Sequence, residues 1–214
     1  MSSKNSSSSA ARRARGERLG RDFYTRADTL LVARELLGKR LVVPAPTGER
    51  VSGRVVETEA YVGIEDMASH AYGGRRTART ETMYAVGGTA YVYFVYGMHH
   101  QFNAVTGERD SPHAVLVRAL EPEEGVEWMR ERRPSMKDRQ LTSGPGKLCR
   151  ALGIDMTFNR ADLTGPHVWL EDAGAVVAPA DIASGPRVGI DYAGDYVSKP
   201  WRFWLKGNPY VSKQ

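Results

Sequence analysis

The chain carries one cysteine, Cys149, in 214 residues. A single thiol cannot close an internal disulfide, which fits a reducing cytoplasm. No apolar run approaches the ~20 residues of a transmembrane helix, and the N-terminus lacks the apolar core of a secretory signal. Five histidines are present, yet no His-Glu-x-x-His or paired-cysteine spacing accompanies them. His99 and His100 are neighbours on an expected strand, so their rings point to opposite faces. Neither a phosphate-binding P-loop nor a dinucleotide fingerprint occurs. The expectation is a protein with no metal and no cofactor.

What is present is an ordinary globular composition, 41% hydrophobic and 26% charged. The length fits one domain, burying roughly 70% of the surface its unfolded chain would expose. The formal net charge is +5, but its location matters more than its size. Lys4, Arg12, Arg13, Arg15 and Arg18 against Glu17 give residues 1–18 a net of +4, leaving +1 for the rest. The serine-rich stretch 1–18 reads as a disordered tail, and 19–214 as the folded domain. Arg75, Arg76 and Arg79 lie in a Gly/Thr-rich loop, 73–80, without a compensating acid, and are candidate phosphate contacts. Arg130, Arg132, Arg133, Lys137 and Arg139 are interrupted by Glu131 and Asp138 and read as a solvated helix end.

A helix is predicted over 28–37, with Leu30, Ala33 and Leu37 on one stripe and Gly38 as its stop. Strands follow at 40–44, 51–62, 89–96, 101–106 and 114–120, with a hairpin about Gly97. Pro122 is expected to open a helix reaching about Arg133. Ser143-Gly-Pro-Gly-Lys147 opens another, which stops at Gly153. Its backbone N–H groups either bind an anion or simply cap the helix. Short strands at 167–170, 187–190 and 201–205 close the chain. This pattern predicts a single α+β domain with a curved, largely antiparallel sheet and surrounding helices.

The chemistry concentrates in Gly53-Arg-Val-Val-Glu-Thr-Glu-Ala-Tyr61. On a strand, Val55, Glu57, Glu59 and Tyr61 share one face, and Arg54, Val56 and Thr58 the other. Burying ionised carboxylates costs several kcal/mol without compensation. The acidic face is therefore either solvated or built around a cation. A buried carboxylate near a cation is what a water-activating general base requires. Arg118 shares a face with Ala114 and Leu116, and its fork of donors needs an acid. Glu121 and Glu59 are its candidate partners. Tyr91 and Tyr93 share one face of the second strand. Tyr91 suits a sheet core, whereas Tyr93 could stack on a base lifted from a duplex, worth ~1–3 kcal/mol. Tyr96, at the Gly97 turn, is placed to wedge into a base stack. Cys149 reads as a core residue.

Several motifs run in order from about Leu19 to Ser212. They are Arg54-Val-Val-Glu-Thr-Glu-Ala-Tyr61, the stretch from Ser69-His70 to Gly74-Arg75, and Tyr91-Val-Tyr-Phe-Val-Tyr-Gly-Met98. Leu116-Val-Arg-Ala-Leu-Glu-Pro122, Ser143-Gly-Pro-Gly-Lys-Leu-Cys149, Arg187-Val-Gly-Ile190 and Lys199-Pro-Trp-Arg-Phe203 follow. Together they resemble the alkyladenine (3-methyladenine) DNA glycosylases. The resemblance implies one mixed α/β domain with a protruding β-hairpin. It implies that Glu59 is the general base, that Arg118 helps hold the attacking water, and that the Val188 carbonyl completes the water site. Tyr61, His70 and Tyr93 match the pocket that sandwiches and hydrogen-bonds a flipped base. Asn103 matches the residue that discriminates against the 2-amino group of guanine. Tyr96 matches the intercalating residue, with Met98 beside it. Arg75 and Lys147 would contact phosphates, giving salt-dependent, sequence-independent affinity. His99 stands where some members have a tyrosine.

The implied activity is base-excision repair. Alkylation at N3 or N7 leaves a purine positively charged, a good leaving group that stacks well between tyrosines. A monofunctional enzyme would flip 3-methyladenine or 7-methylguanine from duplex DNA, with hypoxanthine and ethenoadenine as further candidates. Glu-activated water would then hydrolyse the N-glycosidic bond and leave an abasic site. The implied partner is double-stranded DNA containing damaged bases, bound by a monomer without membrane contact. The expected location is the cytoplasm, at the nucleoid if the source is prokaryotic. Two readings compete: a non-catalytic damaged-DNA-binding protein with a structural Glu59, and a bifunctional glycosylase-lyase using the Lys147 amine.

Overall fold

The computed structural model describes residues 15–212, so residues 1–14 of the expected tail lie outside the described residues. In chain order the elements are β1 (Glu17–Arg18), α1 (Arg21–Tyr24), α2 (Thr29–Glu35), β2 (Arg40–Pro44) and β3 (Arg50–Val62). Then come β4 (Ala90–Val95), β5 (His99–Thr106), β6 (His113–Glu124), α3 (Val126–Arg132) and α4 (Pro145–Leu152). The chain closes with β7 (Trp169–Asp172), β8 (Ile182–Gly185) and β9 (Arg202–Leu205). All pairings are antiparallel, in the order β1-β7-β2-β3-β6-β5-β4, with β9 attached to β3 and β8 to β9. The domain is α+β, as the sequence pattern predicts.

The long strand β3 organises the sheet. Along one edge it pairs first with β2 and then, at Glu57 to Glu59, with β9, while β6 runs along the other edge. Val55, Val56 and Ala60 pack with Val115, Val117 and Leu120 of β6, α2's Val32 and Ala33, and α4's Leu148 and Leu152. Fully burying each larger aliphatic stabilises by ~1.5–3 kcal/mol. Cys149 is buried among them. Asp28 caps α2 by accepting the Leu31 N–H at 2.9 Å. The Thr58 hydroxyl donates to the Ala33 carbonyl at 2.9 Å and ties α2 to β3.

Two bulges break the simple alternation expected of β3. Register shifts fall between Val55 and Glu57 and again between Glu57 and Thr58. The first inserts Val56 on β3. The second inserts Arg118 on β6, because Glu57 pairs with Ala119 and Thr58 with Val117. The insertions cancel, so the register recovers at Thr58, opposite Val117, and places Glu59 opposite Leu116. Strict alternation therefore does not carry from Val55 to Glu57. Bulges re-aim side chains and are common beside functional sites.

Three boundaries differ from the sequence expectation. Pro122 does not open a helix; it lies within β6, opposite Gly53 and beside a further register shift. A bulge is one of the few sheet positions that tolerate a residue without an N–H. The helix begins only after Gly125, whose φ of 64° makes the turn. Residues 187–190 form a loop rather than a strand, following β8. Glu17 and Arg18, placed in the tail from sequence, pair with Asp172 and Glu171.

A buried ion pair fixes the 187–190 loop. Arg187 donates twice to Asp66, at 2.6 and 2.7 Å, and once to the Ala60 carbonyl at 2.8 Å. Neither side chain is solvent-exposed. Asp66 also accepts the N–H groups of Val62 and Ala68. Removing one partner of such a pair strands a buried charge, so Asp66→Ala should cost about 3–5 kcal/mol. Urea denaturation reads this directly, and a loss under about 1 kcal/mol would contradict the assignment.

Candidate active site

Alternation on four adjacent strands turns one set of side chains into a cavity. Tyr61 comes from β3; Ala114, Leu116 and Arg118 from β6; Gln101 and Asn103 from β5; Tyr91, Tyr93 and Val95 from β4. His70, Met83, Val188, Gly189, Ile190 and Tyr192 complete the wall from loops. The cavity holds about 190 Å3 of free volume, tighter than the ~300–1,000 Å3 usual for drug-sized ligands.

Beneath it lies a four-membered charge cluster. Glu57 and Glu59 are fully buried. Arg118 donates from Nε to Glu57 at 2.9 Å and lies 3.2 Å from Glu59 through Nη1. Glu121, its other candidate partner, pairs with Arg54 instead. Arg202 of β9 donates to Glu57 at 2.7 Å. Ser212 donates to Glu57 from both its backbone N–H, at 2.7 Å, and its hydroxyl, at 2.9 Å. Glu59 accepts the Val188 N–H on Oε1 at 2.7 Å and the Tyr61 hydroxyl on Oε2 at 2.9 Å. Two acids thus face two arginines. Burial opposes the Arg118 charge, but Glu59 and Glu57 hold its pKa above the ordinary value. Burial and the Glu59 charge keep Tyr61 protonated, its pKa well above the phenol range.

The aromatic wall is equally ordered. The His70 and Tyr93 rings meet edge-on with centroids 4.7 Å apart, and Tyr91 lies 5.2 Å from Tyr93. His70 Nδ1 and the Tyr91 hydroxyl are 2.9 Å apart. Burial, reinforced by the Arg79 and Arg75 charges, lowers the His70 pKa to about 4, so the ring is neutral at physiological pH. The Tyr93 hydroxyl donates to Gln101 Oε1 at 2.6 Å. Asn103 donates from Nδ2 to the Tyr91 carbonyl at 3.1 Å. Tyr91, assigned from sequence to a sheet core, is buried yet also lines the cavity.

At the cavity mouth the β4–β5 hairpin projects Tyr96 and Met98, 78% and 68% exposed. Tyr96 has φ of 53° and Gly97 of 65°. Positive φ is natural for glycine but strained for tyrosine, at roughly 1–3 kcal/mol. Strain and exposure together leave this aromatic without a packing reason.

The basic residues separate by environment. Arg76 is paired with Glu81 and Asp110, which overturns the expectation that its loop lacks a compensating acid. Arg75 is exposed on that loop. Lys147 is exposed on the first turn of α4, and Gly146 beside it abuts the His99 ring. Both cations thus lie outside the cavity lining. Arg130 pairs with Glu127 and Asp138, matching a solvated helix end.

Sequence reasoning did not find Arg202, Ser212, Gln101 or Tyr192 as parts of this centre. Gln101 was reachable, because it alternates with Asn103 on the same strand. Arg202 and Ser212 carried no local signal, since their partner Glu57 is 145 and 155 residues away.

The comparisons with known proteins point to one family. The model of the methylpurine-DNA glycosylase family matches residues 22–209. A protein of Desulfitobacterium hafniense is 51% identical over 204 residues, covering 92% of this chain and 98% of its own. One from Clostridium perfringens is 47% identical over 206 residues, covering 92% and 100%. A third, from Bacillus licheniformis, is 48% identical over 197 residues, covering 92% and 97%. All three are provisionally designated 3-methyladenine DNA glycosylases. With a family match across nearly the whole folded domain, the chain belongs to the methylpurine-DNA glycosylases.

Proposed function

We propose that this chain is a monofunctional DNA glycosylase that excises alkylated purines, 3-methyladenine and 7-methylguanine foremost, from duplex DNA. The observation that carries the reading is the position of Glu59. It lies buried directly behind Tyr61, Val188 and Arg118 of the aromatic cavity wall, and among the described residues its Oε2 accepts only from Tyr61. A carboxylate oxygen has two lone pairs, so Oε2 retains one to take a proton from water. Arg118 and the Val188 N–H hold the carboxylate still.

The flipped purine would lie against Tyr61, Tyr93 and His70, with Tyr96 filling the gap it leaves in the stack. Glu59 takes one proton from water, and the water oxygen bonds to C1′ of the deoxyribose. The C1′–N bond breaks, and its electron pair passes to the purine, cancelling the positive charge that alkylation placed there. Free base and an abasic site result. Asn103 would face the edge that carries the 2-amino group in guanine. Neutral lesions such as hypoxanthine need an added proton, and His70, with its pKa near 4, is a poor source of one. No lysine lines the cavity among the described residues, which favours hydrolysis over Schiff-base chemistry at Lys147. Damaged duplex DNA is the partner, met by a monomer in the cytoplasm. No helix among the described residues is long and apolar enough to cross a membrane.

Replacing Glu59 by Gln should slow single-turnover release of 3-methyladenine by at least about 10²-fold while lesion binding persists. Release at the wild-type rate would rule out the general base. Tyr96→Ala should leave the thermal midpoint nearly unchanged, because the ring is exposed and alanine bears the same φ strain, and weaken lesion binding in a gel-shift titration. Equal binding by both proteins would remove the wedge.

The His70 environment predicts a pH effect with a definite sign. Its folded pKa of about 4 lies below the ~6.5 of an unfolded histidine. Between these values the unfolded chain binds the extra proton, so stability falls as pH drops through that window. Urea midpoints at pH 7 and pH 5 should differ less in His70→Gln than in the wild type. An equal difference would contradict the neutral, buried ring.

A further inference from the structure

Two tyrosines flank the proposed base site, and each has a guanidinium on its ring. Arg187 lies 4.7 Å from the centroid of Tyr61. Arg79 lies 5.1 Å from that of Tyr93. The two cations differ in one respect. Arg187 is neutralised by Asp66 through two charge-assisted bonds. Arg79 is exposed, and no salt bridge engages it among the described residues. It is also the foremost charge acting on His70 and Tyr91. The acids and arginines beneath the cavity balance, so the surplus positive charge near the slot lies with Arg79 and its neighbour Arg75.

We propose that Arg79 is a specificity-determining residue that biases the slot against cationic bases and towards neutral ones. This rests on the glycosylase reading and deepens it. Arg79 is not part of the cavity wall, so it backs the Tyr93 ring rather than touching the base. Adding ~3.5 Å for a stacked base to the 5.1 Å above puts the guanidinium at most roughly 9 Å from a cationic purine. Two like charges at that distance, with effective dielectric between about 20 and 80, shift relative binding roughly two- to twentyfold. A cation behind the ring also draws electron density from the face offered to the base, which weakens cation–π attraction. The alkylated lesion is then favoured at bond cleavage rather than in binding.

The test compares wild type, Arg79→Met and Arg79→Lys on duplexes carrying 7-methylguanine, a cation, or hypoxanthine, a neutral base. The single-turnover release ratio, 7-methylguanine over hypoxanthine, should rise at least about threefold in Arg79→Met and return to near wild type in Arg79→Lys. An unchanged ratio overturns the proposal. If both lesions then lose affinity equally and the salt dependence flattens, Arg79 is a phosphate contact instead. Calorimetric binding of 7,9-dimethylguaninium and 9-methylhypoxanthine gives the same comparison without catalysis. Should the wild type release neither base, the glycosylase reading fails by itself. The affinity ratio for the two free probes then decides the role of Arg79: a rise in Arg79→Met upholds it, and no change overturns it.

Discussion

Four charged side chains in the middle of the sheet set the terms for the rest of the molecule. Glu57, Glu59, Arg118 and Arg202 are each nearly or fully withdrawn from water. Any one of them alone would cost several kcal/mol to bury, and the set is tolerable only with two acids against two bases and donors on the remaining lone pairs. That balance needs β3, β6, β9 and Ser212 simultaneously. The bonds on Glu57 span 61, 145 and 155 residues of sequence. The centre therefore depends on contacts from across the domain, and Glu59 is coupled to it through Arg118, which it shares with Glu57.

Much of this was legible because strand alternation is a strong constraint. Glu57, Glu59 and Tyr61 on one face, Ala114, Leu116 and Arg118 on another, and a tyrosine at a hairpin tip all follow from a period of two. The antiparallel α+β architecture follows from the same pattern. What stayed hidden is what alternation cannot encode. The paired bulges at Val56 and Arg118 cancel in register, so no net shift betrays them. Pro122 resembles a helix opener, yet a bulge absorbs its missing N–H. The choice between Glu121 and Glu59 for Arg118 depended on Arg54, which takes Glu121 from across the ladder. Arg76 looked unpaired because one of its two acids, Asp110, is 34 residues away.

The site combines a rigid interior with a strained exterior. Tyr61, Tyr93 and His70 are held by hydrogen bonds to Glu59, Gln101 and Tyr91. Their geometry is fixed before any ligand arrives, which limits the ordering cost of binding. Tyr96 has the opposite character, exposed and at positive φ. A strained, solvated aromatic is stabilised by whatever covers it, and a base stack offers both cover and a flat partner. On the proposed reading, the slot and the wedge would contribute to binding by different physical routes from a single hairpin and its neighbours.

The protonation pattern of the slot also constrains what chemistry the proposed mechanism can support. His70 is neutral because of burial and two nearby cations, while burial keeps Tyr61 and Tyr93 protonated by raising their pKa values. A base in the proposed slot would thus be surrounded by groups that stack and donate hydrogen bonds but release a proton reluctantly near neutrality. A general acid needs a pKa close to the working pH to be effective, and none of these three has one. The leaving group must then arrive already activated, and a ring alkylated at N3 or N7 meets that need through its own positive charge. In the proposed mechanism, selectivity for damage would follow from the reluctance of these three groups to give up a proton as much as from any contact: a normal purine entering the same slot would have no means of departing.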